Sequence, residues 1–591
     1  MLNKKENALG GHNCYILVLI VSSIILLLLS LLFVNSDYVL NNISDEYGYL
    51  SNAAYMAGKD WSELTSFGSA YYSYGYSFLL IPLFLLFDDF TIIYRIAMGL
   101  NIFCLLLGFY FAIACTKKLF KTANETLIVI VNLVVALYTS NIVFAKWIWG
   151  ESLLYLLYWI VIYLLQKIEE KGRIRTAMLL VITLAYMWAV HQRALVVIIA
   201  VVIYFLVKFL LNKDKLWDIG VKQICLTLGV ICIVTYISLI MKQYIQNNLY
   251  YNEALSGMNN MKGITNNILG YISWQGVKTF INGSIGKIFY FVFSTLFIGC
   301  YGIWFCLKNT YNNLLGWKKE DSKNSSKSYL PLFFLLCLIG GVLLNVIFTM
   351  SDYTRHDLLI YGRYMEWLFG PILICGFFEL TVAENRIKKF MAFLIIGIIS
   401  AFCVSHAWGY EGVTQYKSFF SSGIVSYFFL LDKIKLKQIP ILILIIRGGL
   451  FLIILVLMKL LKLNKNRCLL LLSVISAVLW SYNAIKYDKS AFDFQKTIVS
   501  EYNTIADNVS EIAGEDTIYF IYGNEFADDM WNIRRIQILL MDNVIEPIKS
   551  SKLKKNNKGI YLLSMSLPDC EQTQELFKNV IEINGWLILY N

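Results

Sequence analysis

Runs of about twenty apolar residues recur along this chain, and nothing constrains its fold more. Taken as a helix, such a run crosses the hydrocarbon core of a bilayer with every backbone N–H and C=O paired internally. The runs lie at residues 14–34, 91–114, 127–144, 153–165, 177–190, 195–211 and 219–240. They continue at 285–307, 330–350, 367–382, 390–408, 439–460 and 469–485. The pattern predicts a polytopic α-helical membrane protein of about thirteen transmembrane helices. A chain that is 58% hydrophobic and only 15% charged, with a mean hydropathy of +0.60, is not an ordinary soluble globule.

Lysine and arginine orient it, because cytoplasmic loops carry the excess of positive charge. With the N-terminus in the cytoplasm, the inner loops collect Lys117, Lys118 and Lys121, then Lys167, Lys171, Arg173 and Arg175, then Lys318, Lys319, Lys323 and Lys327. Arg386, Lys388, Lys389, Lys462, Lys465 and Arg467 follow the same rule, whereas Lys433, Lys435 and Lys437 fall on the outer side and break it. The first loop, residues 35–91, holds Lys59 as its sole lysine and belongs outside, and an odd number of spans places the tail outside too. The net charge of +11 is then a topological signal with some attraction for anionic lipid. No basic-aromatic patch points to nucleic acid. The twelve cysteines are scattered without C-x-x-C spacing and read as small buried hydrophobes.

Two domains follow, a membrane domain over 1–487 and a polar extracytoplasmic tail over 488–591. In the tail, helices at 494–512, 530–541 and 569–580 alternate with strands at 517–522, 559–564 and 586–590, which predicts a small α/β domain with a largely parallel sheet. No glycine-rich phosphate loop follows either early strand, so nucleotide binding is unsupported. Within the first loop, apolar residues at helical spacing over 45–61 predict an interfacial helix, and 77–87 a second one too short to span.

Ionisable residues gather at one interface. Asp45 and Glu46 stand where the first loop begins, and Glu151, His191, Arg193, Arg355, His356, Arg363 and His406 fall at outer helix ends. A transporter more often keeps such groups near the midplane. Each has a plainer use: Asp45 and Glu46 as a solvated helix cap, His191 and His406 as helix-end residues, Arg355 as a snorkelling cation, Glu151 as a partner for a cation. Clustering at one interface instead suggests a site that takes a lipid-borne substrate from the outer leaflet and a second molecule from outside.

The order of these elements resembles the GT-C superfamily of polyprenyl-phosphate-dependent glycosyltransferases, which includes protein mannosyltransferases and aminoarabinose transferases. The matching pieces are Asp45-Glu46 after the first span, Gly58-Lys59-Asp60-Trp61, Tyr74-Gly75-Tyr76-Ser77-Phe78 leading into Ile81-Pro82-Leu83, and Trp149-Gly150-Glu151-Ser152-Leu153. His191-Gln192-Arg193 and Tyr361-Gly362-Arg363-Tyr364-Met365-Glu366 complete the series. The resemblance covers residues 14–487; the tail matches in position and rough class. It implies a GT-C-like fold and transfer of a sugar from a polyprenyl-phosphate donor to a hydroxyl of a surface glycan, lipid or protein, with inversion. Asp45 and Glu46 are the expected catalytic residues. Arg363, Arg193, Arg355 and His356 are expected on the donor phosphate, and Tyr74, Tyr76, Glu151, His191, Tyr364 and Glu366 on sugar or acceptor. A divalent metal stays open, because no ligand spacing specifies one and the Lys-Pro-Pro run of some relatives is replaced here by residues 66–73. A surface-polysaccharide polymerase or ligase, or a lipid or sugar transporter, are the alternatives.

Overall fold

The computed structural model describes residues 2–211, 221–251, 269–315, 328–349, 355–383, 385–410, 421–424, 430, 433–514, 517–523, 529–553 and 558–591. Among them, nine helices are long and apolar enough to cross a membrane, or eleven if each of two bent helix pairs counts as one span. The count of thirteen is therefore not reached. The 177–190 run forms the Ile174–Val190 helix, one residue short of that criterion, and the 127–144 run breaks into helices Glu125–Ala136 and Thr139–Phe144.

The two bends have local causes or local uses. Trp274–Ser294 and Ile298–Leu314 meet at 107°, where Leu296 and Phe297 adopt φ of 51° and 60°. Left-handed backbone at residues with a Cβ ends a right-handed helix. His356–Glu366 and Phe369–Val382 meet at 82°, and Arg363 stands on the short arm of that bend.

The first loop is structured as expected, with helices Ile43–Met56, Ser62–Gly68 and Ser77–Leu86. Its position is fixed by one buried carboxylate. Glu46 Oε2 accepts the N–H groups of Asn41 at 2.7 Å and Asn42 at 2.8 Å, backbone donors that the start of the helix leaves without intrahelical partners. Glu46 Oε1 accepts from the Tyr94 hydroxyl at 2.7 Å and from the Ile148 N–H at 3.0 Å. One side chain thus ties the loop to the Phe90–Leu119 helix and to the segment that precedes the Glu151–Lys171 helix.

The tail sheet departs from expectation. Its order is β2-β1-β3-β5-β4, with β1 at Ile518–Tyr522, β2 at Ile545–Lys549, β3 at Ile560–Ser564, β4 at Asn579–Ile583 and β5 at Trp586–Tyr590. The β1–β2 and β1–β3 pairs are parallel, while β3–β5 and β4–β5 are antiparallel, so the sheet is mixed. The helix anticipated over 569–580 shrinks to Cys570–Gln574, because Asn579–Ile583 pairs with Trp586–Tyr590 across a two-residue turn whose Asn584 and Gly585 both have positive φ. The 469–485 span and the 494–512 helix are one element, the 49-residue helix Lys465–Ala513, which runs unbroken through Asp488.

The sheet domain sits on the first loop. Trp61 Nε1 donates to the Met541 carbonyl at 3.1 Å, Arg535 Nε donates to the Leu40 carbonyl at 3.1 Å, and Val39 N–H donates to Gln495 Oε1 at 3.1 Å. Below, the buried Lys146 and Asp488 form an ion pair that joins the loop before Glu151 to the long helix. Removing one partner of such a pair strands the other charge, at about 3–5 kcal/mol. Lys146→Met should therefore lower the melting temperature in detergent, and adding Asp488→Leu should restore much of it. Equal melting of the single and double variants would exclude that role for the pair.

Candidate functional site

Five segments meet in a cavity of about 140 Å³: the first half of the Ile43–Met56 helix, the 71–73 strip, the 191–193 turn, Phe348 near the end of the Leu330–Thr349 helix and the bend at Arg363-Tyr364. Asp45 follows directly from the anchoring of Glu46. Adjacent residues on a helix point about 100° apart, so burying Glu46 in its four donors presents Asp45 to the cavity. Arg363 Nη1 pairs with Asp45 Oδ2, and the Tyr72 hydroxyl donates to Asp45 Oδ1 at 2.6 Å. Burial works to raise the Asp45 pKa. The Arg363 charge and hydrogen bond, helped by Tyr72 and Arg193, outweigh it and hold the carboxyl below its ordinary value. Burial pushes Glu46 the other way, above the usual range, against the hydrogen bonds that oppose it.

Arg363 is held on both sides. Its Nε donates to Glu151 Oε1 at 2.5 Å, and its guanidinium stacks 3.7 Å from the centre of the Trp149 ring. Arg193 Nη2 donates to the same Glu151 oxygen at 3.0 Å and stacks 4.3 Å from the centre of Tyr364. A three-residue 3₁₀ turn, Gln192–Ala194, aims Arg193 inward, and His191 Nδ1 accepts the Arg193 backbone N–H at 3.1 Å. Burial, with the charges of Arg193 and Arg363 adding to it, holds His191 neutral well below its ordinary pKa. Two guanidiniums and two carboxylates thus form one compact, charge-balanced cluster with an open side.

Close approaches shape the wall. A Cβ at Gly48 would lie 2.1 Å from the Tyr72 ring, and one at Gly75 would lie 2.4 Å from the Val190 backbone nitrogen. Gly48 is the slot into which Tyr72 leans to reach Asp45. Gly75 lets its N–H donate to the Ala189 carbonyl at 2.7 Å, which seats the 71–76 strip against the His191 turn.

Of the residues singled out from the sequence, Asp45, Arg363, Arg193, His191 and Tyr364 line this cavity. Glu151 lies behind it, joining the two arginines, and Glu46 is enclosed by its four donors. Tyr74 is turned to Ser238, whose hydroxyl is 2.8 Å away, and the buried Tyr76 donates to Asn101 at 3.0 Å. Glu366 is buried under the Tyr290 and Tyr138 hydroxyls. Arg355 pairs with Asp357 through two hydrogen bonds of 3.1 and 2.8 Å, and the His356 ring packs edge-on against Trp408 at 5.4 Å. The Tyr72 hydroxyl on Asp45 and the Trp149 ring beneath Arg363 are not apparent from the sequence, for neither contact leaves a linear pattern. Among the described residues no three His, Cys, Asp or Glu side chains gather into a metal-sized group. Asp45 and Glu151 are each engaged by guanidinium, so this donor set does not fit a resident divalent ion.

The polytopic helical membrane domain, the structured loop after its first span and the small mixed sheet recur together in a solved membrane-protein structure. The chain is similar to the crystal structure of ArnT from Cupriavidus metallidurans bound to undecaprenyl phosphate, with a TM-score of 0.50 and 11% identity, covering 96% of this chain and 97% of that one. The apo structure of the same protein gives a TM-score of 0.49, 12% identity and the same coverage. No protein-family model and no curated protein matches the sequence.

The depressed pKa fixes a sign. A carboxylate held lower in the folded state stabilises the fold above its unfolded value, near 4, and that contribution is lost as pH falls through the folded value. Thermal stability should therefore lose the contribution of Asp45 only below about pH 4, and Asp45→Asn should flatten that acid limb. An acid limb below about pH 4 that is the same in Asp45→Asn as in the wild type would contradict the assignment.

Proposed function

We propose that this protein is an integral membrane glycosyltransferase that moves a sugar from a polyprenyl-phosphate donor to a hydroxyl acceptor at the extracytoplasmic face, with inversion. The observation that carries it is the convergence of Asp45, Arg363 and Arg193 on one cavity, in a fold like that of a protein crystallised with undecaprenyl phosphate bound. In this reading the N-terminus is cytoplasmic, and the sheet domain and first loop lie outside.

Asp45 and Arg363 neutralise each other while no substrate is bound. An arriving phosphodiester competes for the Arg363 and Arg193 guanidiniums, whose planar forks suit phosphate oxygens. Asp45, relieved of its cation, becomes a stronger base at the moment when an acceptor hydroxyl needs one. The acceptor oxygen attacks the anomeric carbon, its proton passes to Asp45, the bond from that carbon to the phosphate oxygen breaks, and polyprenyl phosphate leaves with the negative charge held by the arginines. A single displacement inverts the anomeric centre. A positioned base of this kind contributes about 10²–10⁴-fold. Glu46 is assigned to holding Asp45 in place, Glu151 to spacing the arginines, and His191, Tyr364 and Tyr72 to the substrate wall.

Asp45→Asn is expected to abolish transfer while leaving expression and lipid-phosphate binding intact. Mass spectrometry of surface glycopolymers and glycolipids from host cells carrying wild type, a deletion or Asp45→Asn reads this directly. Loss of one sugar mass in both altered strains supports the assignment, loss in the deletion alone moves the base elsewhere, and no change in either favours a transporter. Arg363→Lys keeps the charge but loses the fork and the stack on Trp149. Donor affinity should fall by about tenfold or more, and unchanged affinity would remove Arg363 from the phosphate site.

A further inference from the structure

A second cavity lies on the far side of Arg363, lined by Arg363 itself, Glu151, Tyr155, Glu366 and Ser140, and not by Asp45. Its volume is about 10 Å³, room for one water molecule. Three buried polar atoms of its wall, Glu151 Oε2, Glu366 Oε2 and Tyr155 Oη, make no hydrogen bond to protein. Their residues are 4%, 3% and 3% exposed, so bulk solvent does not meet them either. The companion oxygens are fully engaged. Glu151 Oε1 accepts from both arginines, and Glu366 Oε1 accepts from Tyr290 and Tyr138.

Left dry, each of these atoms would bear the whole desolvation cost of an unmade hydrogen bond. The three are chemically complementary to one ligand. Glu151 Oε2 needs a donor, the Tyr155 phenol needs an acceptor, and the Glu366 carboxyl, which burial favours in its neutral form, can take either part, whereas water offers two O–H donors and acceptor lone pairs. A metal cation matches less well, since the Arg363 guanidinium forms part of the same wall.

We propose that this cavity is the binding site of one structural water, which donates to Glu151 Oε2, accepts from the Tyr155 hydroxyl and shares a hydrogen bond with Glu366 Oε2. Through it, Tyr155 and Glu366 act as positioning residues. The water satisfies the outer oxygen of Glu151, leaving its inner oxygen to hold Arg363 and Arg193 at a fixed spacing. The positioning half of the inference rests on the donor-phosphate role proposed for those arginines, while the water site itself does not.

The test pairs a map with a titration on the full chain in detergent. A map at about 2 Å resolution, fine enough to see buried waters, should place one water in contact with all three atoms. An empty cavity, or density for a metal ion, would overturn the site. Tyr155→Phe keeps the ring and deletes the donor. It should weaken binding of undecaprenyl phosphate roughly three- to tenfold, the scale of one lost hydrogen bond, with the melting temperature unchanged. Glu366→Gln should weaken it to a similar degree. Unchanged affinity in both variants, with the water present, would overturn the positioning role. Failure of the wild type to bind undecaprenyl phosphate would instead overturn the donor assignment, and the map would then decide the water site alone.

Discussion

Glu151 accepts two guanidinium groups on a single carboxylate oxygen, and the architecture around the cavity makes that arrangement tolerable. Buried charges persist when they are paired and hydrogen-bonded. Here Asp45 and Glu151 balance Arg193 and Arg363 in one cluster, with Trp149 and Tyr364 as faces for the cations. Bringing these residues together demands the irregular features of the membrane domain. The 82° bend delivers Arg363, the 3₁₀ turn delivers Arg193, and the first helix of the loop delivers Asp45. A bundle of straight spans would leave all three apart.

The loop that carries Asp45 is held from both sides. Beneath it, Glu46 is tied to Tyr94 and Ile148; above it, Trp61 and Leu40 are bonded to the sheet domain. Arg534, buried and stacked 5.3 Å from the Tyr47 ring, extends that contact to the helix that bears Asp45, and burial lowers its pKa to about 10. The tail is thus packed on the loop that carries Asp45 and is not an appendage. Precise placement of a base is worth more than its mere presence, since reacting groups misplaced by an ångström lose most of their effect.

The membrane character, the structured first loop and the tail were legible in the sequence because burial in lipid and amphipathic periodicity both write themselves as local patterns. Asp45, Arg193 and Arg363 were legible because charge at a hydrophobic boundary is conspicuous. What stayed hidden depends on tertiary position. Nothing in the Asp45-Glu46 doublet says which carboxylate faces the cavity; two of the four donors that claim Glu46, Tyr94 and Ile148, come from distant segments. The first two residues of the 579–583 strand were read as the end of a helix because the strand's partner lies across a turn specified by only two residues, Asn584 and Gly585. The 127–144 run was counted as one full span because hydropathy registers apolar content and not where a helix breaks.

The 49-residue helix has a mechanical meaning. At 1.5 Å per residue it is about 74 Å long, more than twice the hydrocarbon thickness of a bilayer. A helix without proline along its length is a stiff rod, so the sheet domain rides on a mast and not on a tether. The sheet domain is then held at a set distance and heading from the spans, and whatever passes between them must fit the gap that the mast defines.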